Sequence, residues 1–255
     1  MKPRVCAVSY LNTTPLVWGL LHGPQQGAVD LRFEIPSKCA DALRCGEADI
    51  GLAPSIELQR QALERIPSLG IASYGKVRSI LLVSKTPAER IRSLSLDESS
   101  RTSVVLARVL LKERFGVTPK TVEAEPHLEA MLERTDAALL IGDPALRLDP
   151  MRCESLSVYD LGAVWSEWTG LPMVYAVWAA REGFDWSAAA EALRGSYEFG
   201  RGRIAEIAAS ESAGRGITEA EGCRYLTTNI HFELGDAHER GLREFWRLAR
   251  TVGEV

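Results

Sequence analysis

The sequence has no surplus of positive charge: 30 Lys and Arg stand against 34 Asp and Glu, a net charge of −4. That gives no basis for binding nucleic acid or an anionic membrane surface. Histidine is scarce, and His22, His127, His231 and His238 are scattered with no H-E-x-x-H or comparable metal-ligand spacing. His127 follows a proline at a helix start and reads as a surface cap rather than a base. No G-x-G-x-x-G or G-x-x-x-x-G-K-[ST] segment occurs, so nucleotide binding lacks support. No G-x-S-x-G elbow offers a hydrolase nucleophile. Five cysteines (Cys6, Cys39, Cys45, Cys153, Cys223) are odd in number and lack C-x-x-C pairing, which favours free thiols over a disulfide frame or zinc site. No apolar run approaches the roughly 18 residues of a membrane helix, and Met1-Lys2-Pro3-Arg4 leads at once into a strand-like stretch where a signal peptide needs a longer apolar region. The expectation is a cytoplasmic protein with no metal and no cofactor, working by positioning and hydrogen bonds.

What is present is an α/β alternation. With 255 residues and 46% hydrophobic composition, the chain can bury one large core or two smaller ones. Strand signals at Arg4–Val8, Leu31–Ile35 and Ala48–Ala53 alternate with helical ones. The glycine-led Gly75–Ile80 then feeds the apolar Leu81-Leu82-Val83. A second alternating set follows and ends at the apolar Met173–Ala179. Two such strands, each passing between α/β blocks, predict a two-lobed fold with a central cleft. Residues 1–83 and 176–255 form lobe one, and 84–175 lobe two. Helical patterns at Ala188–Phe199, Ile204–Ser210, Glu219–Leu226 and Ala237–Arg250 are expected to pack on lobe one.

Candidate ligand groups lie where strands give way to helices, because free backbone N–H groups point outward there. After the first strand come Ser9, Tyr10 and Asn12, with Thr13 or Thr14 capping a helix that has Pro15 in its first turn. Asn12 is either a ligand contact or a plain turn residue. Ser55 sits at a similar junction. Arg78 and Ser79 place a cation and a hydroxyl at the first crossing. Ser99, Ser100, Arg101, Thr102 and Ser103 precede an amphipathic helix and read either as an anion seat or as an over-provided cap. Gly142 would allow close backbone approach. Asp143 is either an acceptor or the cap of a helix with Pro144 at its first position. The tryptophans Trp165 and Trp168 read as core.

Taken in order, Ser9-Tyr10-Leu11-Asn12 with Pro15-Leu16, Pro54-Ser55-Ile56-Glu57, Arg78-Ser79, Ser99–Ser103, Ile141–Ala145, Trp168–Pro172 and Tyr225–Ile230 resemble the chorismate dehydratases of the futalosine route to menaquinone, the MqnA/MqnD family. The resemblance covers essentially the whole chain. It implies a type II periplasmic-binding-protein-like fold and an enzyme that converts chorismate, a small dianion, to 3-[(1-carboxyvinyl)oxy]benzoate and water. It also implies Asn12 and Ser79 as reaction-centre residues, with the substrate's own enolpyruvyl carboxylate as a possible base. Two alternatives remain on the sequence: a cytosolic solute-binding or sensor protein of the same fold, or the sister dihydroxynaphthoate synthase. The latter is expected to use a histidine base in lobe two, and no matching motif places one.

Overall fold

The computed structural model describes residues 2–149 and 155–255; Cys153 lies outside them. The chain builds two mixed sheets with helices around them. The elements are β1 (Arg4–Val8), α1 (Thr14–His22), β2 (Asp30–Glu34), α2 (Pro36–Arg44), β3 (Ile50–Pro54), β4 (Leu63–Ser73), β5 (Ile80–Ser84), β6 (Ser93–Asp97), α3 (Thr102–Val109), β7 (Lys120–Ala124), α4 (Leu128–Arg134), β8 (Ala137–Ile141), α5 (Gly142–Leu146), β9 (Ser157–Asp160), α6 (Leu161–Thr169), β10 (Met173–Arg181), α7 (Ser187–Arg201), α8 (Ile204–Glu211), α9 (Glu219–Arg224), β11 (His231–Glu233) and α10 (Asp236–Thr251). The first sheet has the order β11-β4-β10-β3-β1-β2 and the second β7-β6-β8-β5-β9.

Each sheet has a parallel part made by β-α-β crossovers. β1 pairs in parallel with β2 and β3, and β6 with β7 and β8. Strands that arrive from the other sheet run antiparallel: β10 between β3 and β4, β5 between β8 and β9. The two apolar strands expected at the crossings therefore each lie wholly within one sheet. The chain passes over just before them, in residues 74–79 and 161–172, where no sheet hydrogen bonds hold it. We place the lobe boundaries in those segments, a few residues ahead of Val83 and of Tyr175.

Local sequence explains most elements. β1, β3, β5 and β8 are continuous apolar runs because both faces are covered. Helix α10 buries Leu242, Phe245, Leu248 and Ala249 on one stripe. β4 starts at Leu63, well ahead of the apolar Ile71, and its pairing with β10 is irregular along the way. Helices α1 and α7 pack unusually close. A Cβ at Gly200 would lie 2.2 Å from the Pro15 carbonyl oxygen, and one at Gly19 would lie 2.5 Å from the Ser196 Cα. Neither threonine caps α1 through its side chain: Thr13 occupies the N-cap and makes no such bond.

Strand β11 is tied to α10 by two histidines. The Gly235 N–H donates to His238 Nδ1 at 3.1 Å, so the neutral His238 carries its proton on Nε2, 3.2 Å from His231 Nδ1. Burial holds both imidazoles below the ordinary value of 6.5. The facing ring lowers His238 further, while Glu239, paired to Arg65 at 2.6 Å, raises it. A depressed histidine value means the unfolded chain takes up protons first as pH falls. The pair's contribution is then complete above about pH 6.5 and is lost progressively below it. Between about pH 7.5 and 5.5 the wild type should lose more melting temperature than the variant carrying both His231→Gln and His238→Gln. Equal losses would show that the pair does not titrate in this way.

Candidate active site

The carboxyl ends of the parallel strands of both sheets converge on one seam, the usual location of ligands in open α/β sheets. From the first sheet come the loop after β1 and the short 3-10 turn Leu11–Thr13. From the second come residues 97–103 and the β8–α5 junction. Between them lies a cavity of about 60 Å³, whose polar lining is Tyr10, Asn12, Thr13, Ser79, Ser103 and Tyr175. Its remaining walls are aliphatic apart from Gly142. Among the described residues, no Asp, Glu, Lys, Arg or His lines it. An open groove of about 800 Å³ elsewhere on the seam is far more charged.

Of the expected site residues, Tyr10, Asn12, Ser79, Ser103 and Gly142 come together at the cavity. Ser99 stands behind Tyr10. The two hydroxyls are 2.9 Å apart, and Ser99 Oγ donates to Asp97 Oδ1 at 2.6 Å. Burial pushes the Tyr10 phenol up to about 12 and raises the Asp97 carboxyl as well, against the bonds it accepts from Ser99 and Ile141. Gly142 has φ +60°, and a Cβ there would meet the Tyr10 ring at 2.5 Å. The close approach it permits is to that ring.

The others are engaged elsewhere. Ser9 is exposed, and its carbonyl accepts from Arg215. Ser55 Oγ donates to the Val174 carbonyl at 2.7 Å and locks β3 to β10. Thr102 Oγ1 accepts from the Ile56 N–H, and Ser100 faces the large groove. The guanidinium of Arg101 is not free to seat an anion. It pairs across the seam with Asp41 at 2.7 Å and Glu57 at 3.2 Å. Arg78 does not line the cavity either. Its guanidinium donates to the carbonyls of Ala145, Leu146 and Leu148 at the end of α5, where the helix dipole favours a cation. Asp143 is not the α5 cap, a position held by Ile141. It accepts from the Leu11 N–H at 3.0 Å and from Arg215 at 2.6 Å.

Arg78 still matters through its backbone. It has φ +68°, a strained conformation for a side-chain-bearing residue. The Asp160 carboxylate holds it by accepting from the N–H groups of Val77 and Arg78 at 3.0 and 2.7 Å. That fixes the approach to Ser79, which is 2% exposed.

Three residues of the site were not expected as ligand groups, although Tyr225 lies in the Tyr225–Ile230 run of the resemblance and Thr13 was a candidate helix cap. Tyr225 OH accepts from Asn12 Nδ2 at 3.0 Å and donates to Ser79 Oγ at 2.8 Å. Tyr175 OH meets Ser73 Oγ at 2.9 Å. Thr13 is fully buried, and its hydroxyl has no partner among the described residues. Among the described residues, no three His, Cys, Asp or Glu side chains are grouped so as to hold a metal. His127, expected as a surface cap, is 72% exposed; it occupies the α4 N-cap position but makes no side-chain cap bond.

The family model described as menaquinone biosynthesis matches residues 3–251. The chain is 31% identical to the chorismate dehydratase of Thermus thermophilus over 263 aligned residues, covering 96% of this chain and 94% of that one. A protein of Archaeoglobus fulgidus of solved structure superposes with a TM-score of 0.81 at 18% identity, over 100% of this chain and 98% of that one. The alkanesulfonate-binding protein SsuA of Xanthomonas axonopodis pv. citri, bound to MOPS, does so with 0.70 at 14% identity, over 100% and 95%. The fold is thus periplasmic-binding-protein-like, with two lobes.

The unpartnered Thr13 hydroxyl yields a direct test. An unsatisfied buried hydroxyl costs stability unless a ligand uses it. Thr13→Val should leave the melting temperature unchanged or raise it, while ligand affinity in the cleft falls about tenfold. A thermal melt and a calorimetric titration with an aromatic carboxylate would measure the two sides; unchanged affinity would remove Thr13 from the site.

Proposed function

The chain belongs to the menaquinone-biosynthesis family, and we propose that it is a hydro-lyase that removes water from chorismate to give 3-[(1-carboxyvinyl)oxy]benzoate on the futalosine route, in the cytoplasm. The observation that carries the reading beyond family membership is the cavity itself: it is ringed by hydroxyls, an amide and two phenols, with no charged side chain among the described residues.

That lining suits the reaction. The bond changes are loss of the proton from the ring carbon bearing the enolpyruvyl ether and loss of hydroxide from its neighbour. The C–H electron pair becomes the new ring double bond, and proton and hydroxide leave as water. The proton is acidified through the diene to the ring carboxylate, and aromatisation drives the step. A strong protein base is therefore unnecessary, and the substrate's enolpyruvyl carboxylate can take the proton if it is held in reach. A charged side chain at that point would compete with it.

The dianion still needs stabilisation, and the fold offers it without cations. Asn12 and Thr13 immediately precede α1, and Ser103 lies in the first turn of α3. Two helix N-termini thus border the cavity from opposite lobes, each bringing partial positive charge and free N–H groups. Of the carboxylate seats expected at Arg78 with Ser79 and at the Ser99–Ser103 helix start, this reading keeps Ser79 and the helix start at Ser103, drops the guanidinium groups of Arg78 and Arg101, which are engaged elsewhere, and adds the start of α1. Ligand cavities are commonly about 300 Å³ or larger, so at about 60 Å³ the cleft must widen to admit chorismate. Closing again would exclude water and strengthen every polar contact inside.

Ultraviolet spectroscopy with chorismate tests the reading, because aromatisation changes the spectrum. The wild type should convert it with no added metal or cofactor. Asn12→Ala should bind product within about tenfold of wild type while turnover falls about 10² to 10³. Asn12→Asp, which sets a carboxylate against the substrate's own, should abolish turnover. A wild type that binds chorismate and leaves it unchanged would favour a solute-binding role. Near-normal turnover by Asn12→Ala would reduce Asn12 to a turn residue.

A further inference from the structure

The hydrogen bonds that join Asn12, Tyr225 and Ser79 have a direction. The three residues come from separate stretches: Tyr225 is 213 positions from Asn12 and 146 from Ser79. It opens a π-helical turn, Tyr225–Asn229, that continues α9, and such turns recur at functional sites. The far end of that turn is tied to the first crossing segment, where Asn229 Nδ2 donates to the Lys76 carbonyl at 2.8 Å. Tyr225 itself is 2% exposed.

A phenol has one proton to give. Tyr225 accepts the Asn12 amide N–H and gives its proton to Ser79 Oγ. Ser79 Oγ, already accepting from the phenol, has its own proton left to give. No other side-chain hydrogen bond engages that hydroxyl among the described residues, and Ser79 lines the cavity. We infer that Tyr225 is a positioning residue that polarises Ser79, so that the serine presents its hydroxyl proton to the oxygen leaving the substrate ring. This rests on the dehydratase reading. Burial supports it by pushing the Tyr225 phenol up, which keeps it a neutral donor. In the reaction the C–O electron pair goes to the departing oxygen, which Ser79 stabilises by a hydrogen bond. The proton completing water is the one taken from the ring carbon, so neither Ser79 nor Tyr225 changes its protonation state.

The contact grows in strength as negative charge develops on the leaving oxygen, so its loss falls on kcat rather than on binding. Tyr225→Phe, which keeps the ring, should lower kcat about tenfold or more with KM and product affinity within about threefold. Because Tyr225 acts through Ser79, the same substitution in a Ser79→Ala background should cost almost nothing further. Product titration and a thermal melt of each variant establish that it is folded. The inference is overturned if Tyr225→Phe turns over chorismate like the wild type, if KM rises in step with the fall in kcat, or if its cost is undiminished in the Ser79→Ala background. A Tyr225→Phe protein that no longer binds product overturns it too, since the tyrosine would then be structural. If the wild type itself leaves chorismate unchanged, the dehydratase reading fails and takes this inference with it; active wild type with active Tyr225→Phe removes the inference alone.

Discussion

The buried carboxylate of Asp143 is the contact on which the site's geometry depends. It belongs to the second sheet's β8–α5 junction, yet it accepts the Leu11 N–H of the first sheet's loop and the Arg215 guanidinium from the C-terminal helices. Arg215 in turn donates to the Ser9 carbonyl and pairs with Glu211 at 3.0 Å. One carboxylate thereby sets the path of residues 9–12 against the opposite lobe. Asn12 faces Tyr225, and the Tyr10 ring rests on Gly142, because this loop is held from across the seam. Charge-assisted bonds of this kind are short and directional, which suits a contact that fixes one lobe against the other.

A second group of contacts closes the seam from the charged groove. Arg101 bridges to Asp41 and Glu57, and Arg108 pairs with Glu254, which Arg60 of the same lobe also holds at 2.8 Å. The Ser37 N–H also donates to the Ser99 carbonyl at 3.0 Å. Among the described residues, the ionised side chains gather at the open groove and the neutral ones at the cavity. Glu57 is buried, so its pair with Arg101 is more than a surface contact, whereas the pairs made by Glu254 are partly exposed.

Ser79 shows how strain and topology meet. The crossing from the first sheet to the second must turn sharply between β4 and β5, and it does so with Arg78 in a left-handed conformation that Asp160 stabilises. The same Asp160 caps α6 by accepting from the Ala163 N–H at 3.1 Å. One carboxylate therefore organises both crossings, and Ser79 is delivered to the cavity from the more constrained of the two.

By itself the sequence determined the order of strands and helices, since apolar runs and period-3.6 stripes depend only on neighbours along the chain. The amphipathic stripe of α10 and the buried runs of β5 and β8 were legible there. Only the tertiary structure decided what each polar group does. Arg78 and Arg101 look like free cations in a linear reading, and what consumes them lies across the fold: the end of α5 for one, Asp41 and Glu57 for the other. Asp143 has the local pattern of a helix cap and becomes a lobe contact because Leu11 and Arg215 approach it from elsewhere. Tyr225 lies in a run that the resemblance includes, yet nothing in that run shows that it joins Asn12 to Ser79, because hydrogen bonding is decided by distance in space and not by distance along the chain.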